Sequence, residues 1–532
     1  MSTPCNKEPI GGTLHKRSIL KKVMQVGSST LLSRAFGIIR EVLLFAFFGG
    51  AGALSDVFKA SYKIPNSFRK IFAEGALSAA MIPTLASKVR RGDRKAVDSL
   101  MSLAFLVFEG VVIIVCILVI WKAEFCVKVL APGFSADQLA LATRLLKILM
   151  PFIFFLSSSA LLAGVLQSVN RFFIPAISPA LLNVVFIVSL LLCLHYAFPI
   201  EYLCYFILLG GFIQFILHVA TYLRVGFSFA MINGNAVRAF GRVLRKFLPC
   251  LFSVSIVEIS SIIDSRFASY LAKGSISLVY LSNRFMGIPL GVFGVALSTI
   301  LLPHFSKIGI YAPKRLNFYL LEATKFVFWV TIPIAIVMIL VSSNIFYSFF
   351  SLVPKFKIAQ VEEASKILVA FLFGLFFFSL NKILLNIYYA FHNTWVPTII
   401  SIFAVIINYI LNCILVNMLQ AAGIALATSI SAVIQTFLFI IFLYIFFDVK
   451  FYFKRFSSFF LNYLFQLSVL FSIMLIFYRL IILLLLYLPE KIATFFVKGF
   501  GFWFWISPLV GVTFLAIFFT RKWFKVRVYF LD

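Results

Sequence analysis

Ionised side chains inside long apolar runs stand out first, because each costs roughly several kcal/mol at mid-bilayer depth unless paired or hydrated. Arg34, Arg40 and Glu41 fall in one such run, and Asp56, Lys59, Lys63, Arg69, Lys70 and Glu74 in the next. At roughly 100° per helical residue, all of the second set except Arg69 share one stripe. Arg266 and Arg284 add two cations from later apolar runs. Two readings are open. The bland one is an internal salt-bridge network, Arg40 with Asp56 for instance, plus long side chains snorkelling to the interfaces. The other starts from the surplus: in the first two runs six cations face three anions. An unneutralised cationic chamber takes an anionic ligand, and the planar arginine fork suits phosphate by donating two hydrogen bonds at once. A chamber open sideways to the bilayer would admit a phosphate with a lipid tail.

A sparser set is Asp264, Asn408, Asn412 and Thr428. Asn408 and Asn412 lie one helical turn apart, and all four supply hard oxygen donors of the kind an alkali cation needs. Here too a plainer reading stands beside it: Asn and Thr commonly hydrogen-bond between helices in membranes, with Asp264 paired to Arg266.

The elements that must hold these groups follow from composition. The 532 residues are 62% hydrophobic and only 12% charged, with a mean hydropathy of +1.07. A soluble surface needs roughly twice that charge, so soluble, disordered and fibrous classes are excluded. The apolar segments are too long for transmembrane strands, which leaves an all-α polytopic membrane protein of roughly fourteen spans. The first two spans, near 24–48 and 53–86, carry the most charge. The net charge of +29 would suggest nucleic acid on a soluble protein. Here the basic residues concentrate in alternate short loops, about 27 against about eight, which the positive-inside rule reads as orientation, with both termini cytoplasmic.

The two halves echo each other. Ala76-Leu77-Ser78 with Pro83 recurs as Ala296-Leu297-Ser298 with Pro303, and Gly52, Ser55 and Val57 recur as Gly274, Ser277 and Val279. Pro132-x-Phe134 recurs as Pro354-x-Phe356, and Pro175 as Pro397. With six spans per half the repeats are parallel, an arrangement that places a cavity between two rocking lobes. The expected organisation is a tail over 1–23, an N-lobe over 24–224, a linker over 225–242 and a C-lobe over 243–447. Two further spans occupy 448–520, and a second tail 521–532.

Enzyme signatures are missing: there is no Gly-rich phosphate loop, H-E-x-x-H, G-x-S-x-G or metal-spaced Cys/His set. The seven Cys form no C-x-x-C pair, so neither a disulfide framework nor a zinc site is implied. No catalytic residue and no resident cofactor is expected.

Several stretches resemble the MurJ (MviN) family of bacterial lipid II flippases, within the multidrug/oligosaccharidyl-lipid/polysaccharide exporter superfamily. They are SRAFGIIRE (33–41), SDVFKASYKIPNSFRKIFAEGALSAAMIPTLA (55–86), APGF (131–134), NRFFIPAISPALLN (170–183) and GVALSTILLPHFSK (294–307). The resemblance covers the first twelve spans. It implies two six-helix lobes plus two C-terminal helices lining a groove for a polyprenyl tail. It also implies an inner-membrane protein that moves lipid II between leaflets for cell-wall synthesis. By the same resemblance Arg34, Arg40, Asp56, Arg69 and Arg284 bind substrate; Glu41, Lys63 and Glu74, from the charged spans themselves, are expected to support that cavity. Asp264, Asn408, Asn412 and Thr428 match a sodium site described for some members. The chain departs from the family pattern at three places: Glu41 stands where Asp is usual, Asn283 where an acid often precedes the span-eight arginine, and Asn412 where Asp can occur. The expected partners are lipid II and membrane lipids, with no nucleic acid, and the expected state is a monomer. The alternative is another exporter of the superfamily, for a different polyprenyl-linked saccharide or a drug. Excess arginine in the cavity disfavours a drug exporter of organic cations, which would present carboxylates.

Overall fold

Apolar runs longer than about twenty residues can satisfy their backbone in lipid only as helix, and no strand occurs among the described residues. The computed structural model describes residues 36–74, 81, 84–85, 88, 93–169, 171, 173–295, 297–298, 301, 305, 313–350, 353, 358–391 and 393–531. Arg34 lies outside them, as does the side chain of Glu74.

The first half begins with α1 (36–48) and α2 (Ala53–Arg69), which runs into a π-helical turn at Lys70–Glu74. It continues through α3 (Arg94–Trp121), α4 (Ala123–Leu130), α5 (Ala136–Leu149), α6 (Phe152–Ser168), α7 (Phe173–His195) and α8 (Ile200–Arg224). The second half has α9 (Gly234–Ala268), α10 (Ser275–Pro289) with a π-helical turn at Leu290–Val295, α11 (Pro313–Leu340), α12 (Ser342–Phe350), α13 (Ile358–Leu372), α14 (Leu375–Ala390), α15 (Trp395–Leu419) and α16 (Ala421–Phe447). Then come α17 (Phe453–Leu486), α18 (Glu490–Val497) and α19 (Phe502–Thr520). Among the described residues, 10 helical stretches are long and apolar enough to cross a bilayer, or 11 if α13 and α14, bent by 43°, form one span. The expected count of fourteen includes spans whose residues are partly outside the description, and α2 carries too much charge to pass such a test.

The duplication is visible in packing. In the first half α2 packs on α5, α6 on α8 and α7 on α8; the equivalent pairs α10–α13, α14–α16 and α15–α16 pack in the second. One hydrogen bond repeats atom for atom. Ser61 Oγ donates to Ala142 O at 3.0 Å, and its counterpart Ser282 Oγ donates to Ala364 O at 2.8 Å. Both π-helical turns fall at equivalent places as well. A π turn leaves backbone groups off the regular ladder and is commonly found at functional positions.

Helix α9 starts at Gly234, capped by Asn233 Oδ1 on Ala236 N at 2.8 Å, so helix extends into the stretch assigned to a linker. The segment after α19 is packed as well. Val526, Val528 and Phe530 are buried, Tyr529 N donates to Glu322 Oε2 at 2.8 Å, and Arg521 Nη2 donates to Leu531 O at 2.8 Å. By contrast, α17 leaves Leu461, Phe465, Ile476, Leu483 and Leu484 exposed along its length, a surface that only lipid tails solvate well.

Candidate functional site

Glu41 is the hub. Its side chain is only 2% exposed, and three cations converge on it from three helices. Lys59 Nζ from α2 meets Oε2 at 2.5 Å, while Arg40 Nη2 of α1 and Arg284 Nη1 of α10 meet Oε1 at 3.3 and 3.0 Å. Arg40 and Arg284 belong to different halves of the chain, so one carboxylate oxygen joins the two lobes. Gly37 permits this: a Cβ there would sit 2.1 Å from Arg284 Nη2, so the guanidinium occupies the space that a side chain on α1 would fill. Arg40 is fixed further by Asn183 Oδ1 of α7 at 3.1 Å and by the Phe186 ring at 4.8 Å. Lys59 lies 4.2 Å from the Tyr280 ring centroid. Three cations and one anion leave two uncompensated positive charges in a nearly closed centre.

Asp56 does something else. It does not pair with Arg40; its carboxylate accepts from Gly274 N at 2.6 Å, Ser277 N at 2.8 Å and Ser277 Oγ at 2.7 Å. It therefore caps the N-terminus of α10, where unpaired N–H groups and the helix dipole favour an anion. Gly274 has φ of 105°, and a Cβ on it would strike Ala51 O at 2.8 Å. Ser277 Oγ donates to Ser55 Oγ at 2.9 Å, so repeat-equivalent serines meet across the pseudo-symmetry axis. Gly133 N to Ser269 Oγ at 3.2 Å, Arg266 Nη1 to Val129 O at 3.1 Å and Gln360 Nε2 to Ala51 O close the same end of the lobes. Asp56 is thus a lobe clamp, and Arg266 is spent on a carbonyl instead of on Asp264.

The remaining expected residues divide. Arg69 donates to its own-helix neighbour Asn66 Oδ1 at 3.1 and 3.0 Å. Lys63 Nζ donates to Ser261 Oγ of α9. Lys70 Nζ and Ser67 Oγ both engage Glu258 of α9, at 2.8 and 2.7 Å. Sequence reasoning passed over Glu258 and treated Lys59 as one charge among several. A lone carboxylate inside the apolar Ile256–Ile262 run was the available signal for the first; for Lys59 the stripe gave the face but not the partner.

The oxygen-rich set does assemble. Asp264 Oδ1 accepts from Asn412 Nδ2 at 3.1 Å, and its Oδ2 from Thr428 Oγ1 at 3.2 Å. Asn412 Nδ2 also donates to Asn408 Oδ1 at 3.0 Å, and Asn408 Nδ2 to Thr428 Oγ1 at 3.2 Å. Asn412 Oδ1 is buried with no hydrogen-bond partner. An orphaned carbonyl oxygen beside one carboxylate fits a singly charged hard cation, whose ligands are oxygen and whose charge one Asp balances.

The sequence profile of the lipid II flippase MurJ family matches residues 45–505. This chain belongs to that family. A probable lipid II flippase MurJ of Buchnera aphidicola subsp. Schizaphis graminum is 33% identical over 90% of this chain and 93% of its own length. One from Vibrio cholerae is 32% identical over 79% and 82%. A solved structure, lipid II flippase MurJ in an inward closed conformation, superposes with a TM-score of 0.74 at 28% identity, covering 94% of this chain and 99% of that one. An inward-facing multidrug transporter of the MATE family shares the fold, with a TM-score of 0.64 at 15% identity over 80% of this chain. MurJ membership makes the chain a multi-pass membrane transporter, and the Glu41 centre is then the natural place to seek its substrate.

Proposed function

We propose that the protein is a monomeric flippase that carries lipid II from the cytoplasmic to the periplasmic leaflet of the inner membrane, with both termini in the cytoplasm. The observation that carries the reading is the shared carboxylate: Arg40 and Arg284, one from each lobe, meet on Glu41 Oε1. A diphosphate diester bears one negative charge on each phosphate, which balances the two uncompensated positive charges of the centre. Its oxygens accept paired N–H groups from guanidinium better than a single carboxylate oxygen does. Substrate therefore takes Arg40 and Arg284 from Glu41, and Lys59 keeps Glu41 neutralised meanwhile. When substrate leaves, Glu41 recaptures both arginines and the carrier resets.

Alternating access then requires the Asp56 clamp to open as the basic end closes. The clamp sits at the end opposite the basic loops, which the positive-inside rule assigns to the periplasm. A potential positive outside drives the anion outward, at about 2.3 kcal/mol per charge per 100 mV. Asp264, Asn408, Asn412 and Thr428 would hold sodium as a coupling ion that ties the C-lobe's arrangement to the cycle. The exposed flank of α17, with α19 beside it, offers the prenyl tail a path that stays in lipid.

The test is depletion of the resident flippase in a bacterial strain, complementation with this chain, and a leaflet-specific probe of lipid II. Externally accessible lipid II of unchanged mass is expected with the native chain and not with Arg284→Ala, while the variant still inserts. Normal accessibility with Arg40→Ala and with Arg284→Ala would overturn the assignment. A change in the precursor's mass would reassign the protein as an enzyme.

A further inference from the structure

A second concentration of arginine lies away from the Glu41 centre. Arg94 at the start of α3, Arg171 in the α6–α7 link and Arg224 at the end of α8 line one cavity of about 660 Å³. Its remaining wall is mostly apolar, from Val97, Val169, Val225 and Phe227. None of the three arginines pairs with a carboxylate among the described residues. The nearby acids on α3 are committed elsewhere. Asp93 caps its helix by accepting from Ala96 N at 3.0 Å, and Asp98 accepts from Ser228 N and Oγ, both at 3.2 Å.

The chain that floors the cavity is held in place. Ala230 N donates to Ser102 Oγ at 2.9 Å, Asn233 N to Ser99 Oγ at 3.0 Å, and Tyr222 OH to Ser228 O at 3.2 Å. Arg94 Nη1 rests against Gly226, 3.3 Å from where a Cβ would stand. Three like charges are thus brought to one concavity by a pinned loop that withholds the local carboxylates. All three are exposed, so an anion arriving from outside the chain can reach them together and relieve their repulsion. The cavity's apolar wall and its place at the ends of membrane-length helices favour an amphiphile over a freely soluble ion.

We propose that this cavity binds the phosphodiester headgroup of an anionic phospholipid in the cytoplasmic leaflet, such as phosphatidylglycerol. The leaflet assignment rests on the orientation proposed above; the binding chemistry does not. The site is separate from the substrate centre, and its ligand is a resident lipid of the leaflet from which substrate is taken. Basic pockets between membrane helices on this face are suited to such headgroups because their charge adds to the attraction of the anionic surface.

The experiment uses the delipidated full chain in nanodiscs of phosphatidylcholine, titrated with phosphatidylglycerol and read by the lipid retained in native mass spectra. The double variant Arg171→Gln/Arg224→Gln should bind about twenty-five-fold more weakly, roughly a factor of five for each cation. Arg284→Ala should bind as the native chain does. Thr221→Trp, which fills the cavity without altering charge, should give the same loss and covers the case in which the double variant does not fold. Equal affinity in the native chain and the filled variant would overturn the proposal. So would displacement of the lipid by inorganic phosphate at matched concentration, which would assign the site to a soluble anion. Labelling of Arg171→Cys from either side of the membrane reports orientation by itself: reaction only from outside would remove the leaflet assignment and leave the binding result standing.

Discussion

The two polar centres inside this membrane protein are built on opposite principles. Around Glu41, cations outnumber anions and donors come from both lobes. Around Asp264, one carboxylate meets two amides and a hydroxyl, all from the second half, and the unspent atom is an acceptor. The first centre lacks negative charge and the second lacks a donor. A charge deficit between lobes suits a transported anion, because filling it changes how the lobes attract one another. An oxygen deficit within one lobe suits a small cation, because filling it stiffens that lobe.

Removing a lobe-bridging arginine should separate the centres most. Arg40→Ala is expected to lower flipping at least about a hundredfold, the scale of losing charge-assisted contacts that matter along the transport path. Asp264→Ala is expected to cost no more than about tenfold, since a monovalent ion adds coupling rather than the substrate contact itself. Reconstituted flipping rates compare the two directly, and equal losses would erase the distinction.

Glu41→Gln sharpens it from the other side. The neutral amide releases Arg40 and Arg284, so substrate should bind about tenfold more tightly while turnover falls, because nothing recaptures the arginines. A weaker affinity together with slower turnover would mean that Glu41 only supports the fold. Asp264→Asn should abolish stimulation by sodium and leave substrate affinity within about twofold, as expected for sites linked only through lobe arrangement. Substrate titrations with and without sodium decide this.

The smallest expected effect concerns the scaffold that both centres share. Ser61→Ala and Ser282→Ala each remove one serine-to-carbonyl bond between helices, worth about 0.6 kcal/mol in membrane proteins; the 2.8 Å approach of Ser61 Oγ to Val57 O within α2 shares the same proton. The two variants should lower thermal stability equally, because the bonds are repeat equivalents. Unequal losses would show that the halves have diverged in how they hold their cores.

The second centre was more legible in the sequence than the first. Asn408 and Asn412 lie one turn apart, so their shared face follows from helical periodicity alone, and oxygen chemistry follows from residue type. The structure brings Asp264, already grouped with them by residue type, into contact with Asn412 and Thr428 and sets aside its pairing with Arg266. For the first centre the sequence marked Arg40, Glu41 and Arg284 as buried charges but could not rank their partners. The clearest misreading was Asp56. Read as a counter-ion of Arg40, it instead caps a helix whose first residues lie more than two hundred positions away. Nothing local to Asp56 distinguishes a carboxylate that meets a guanidinium from one that meets a helix N-terminus.

Helical class, the apolar spans and the internal duplication were fixed by the sequence itself. Lipid requires every spanning residue to be apolar or accounted for, so each segment carries its own signature. Which lobe Glu41 holds, what Asp56 clamps and where three arginines gather at the helix ends were decided by tertiary structure. These contacts depend on the distance and rotation between helices, and Glu41 and Arg284 are 243 residues apart. A charge-assisted hydrogen bond forms only at about 3 Å, and only packing sets that separation.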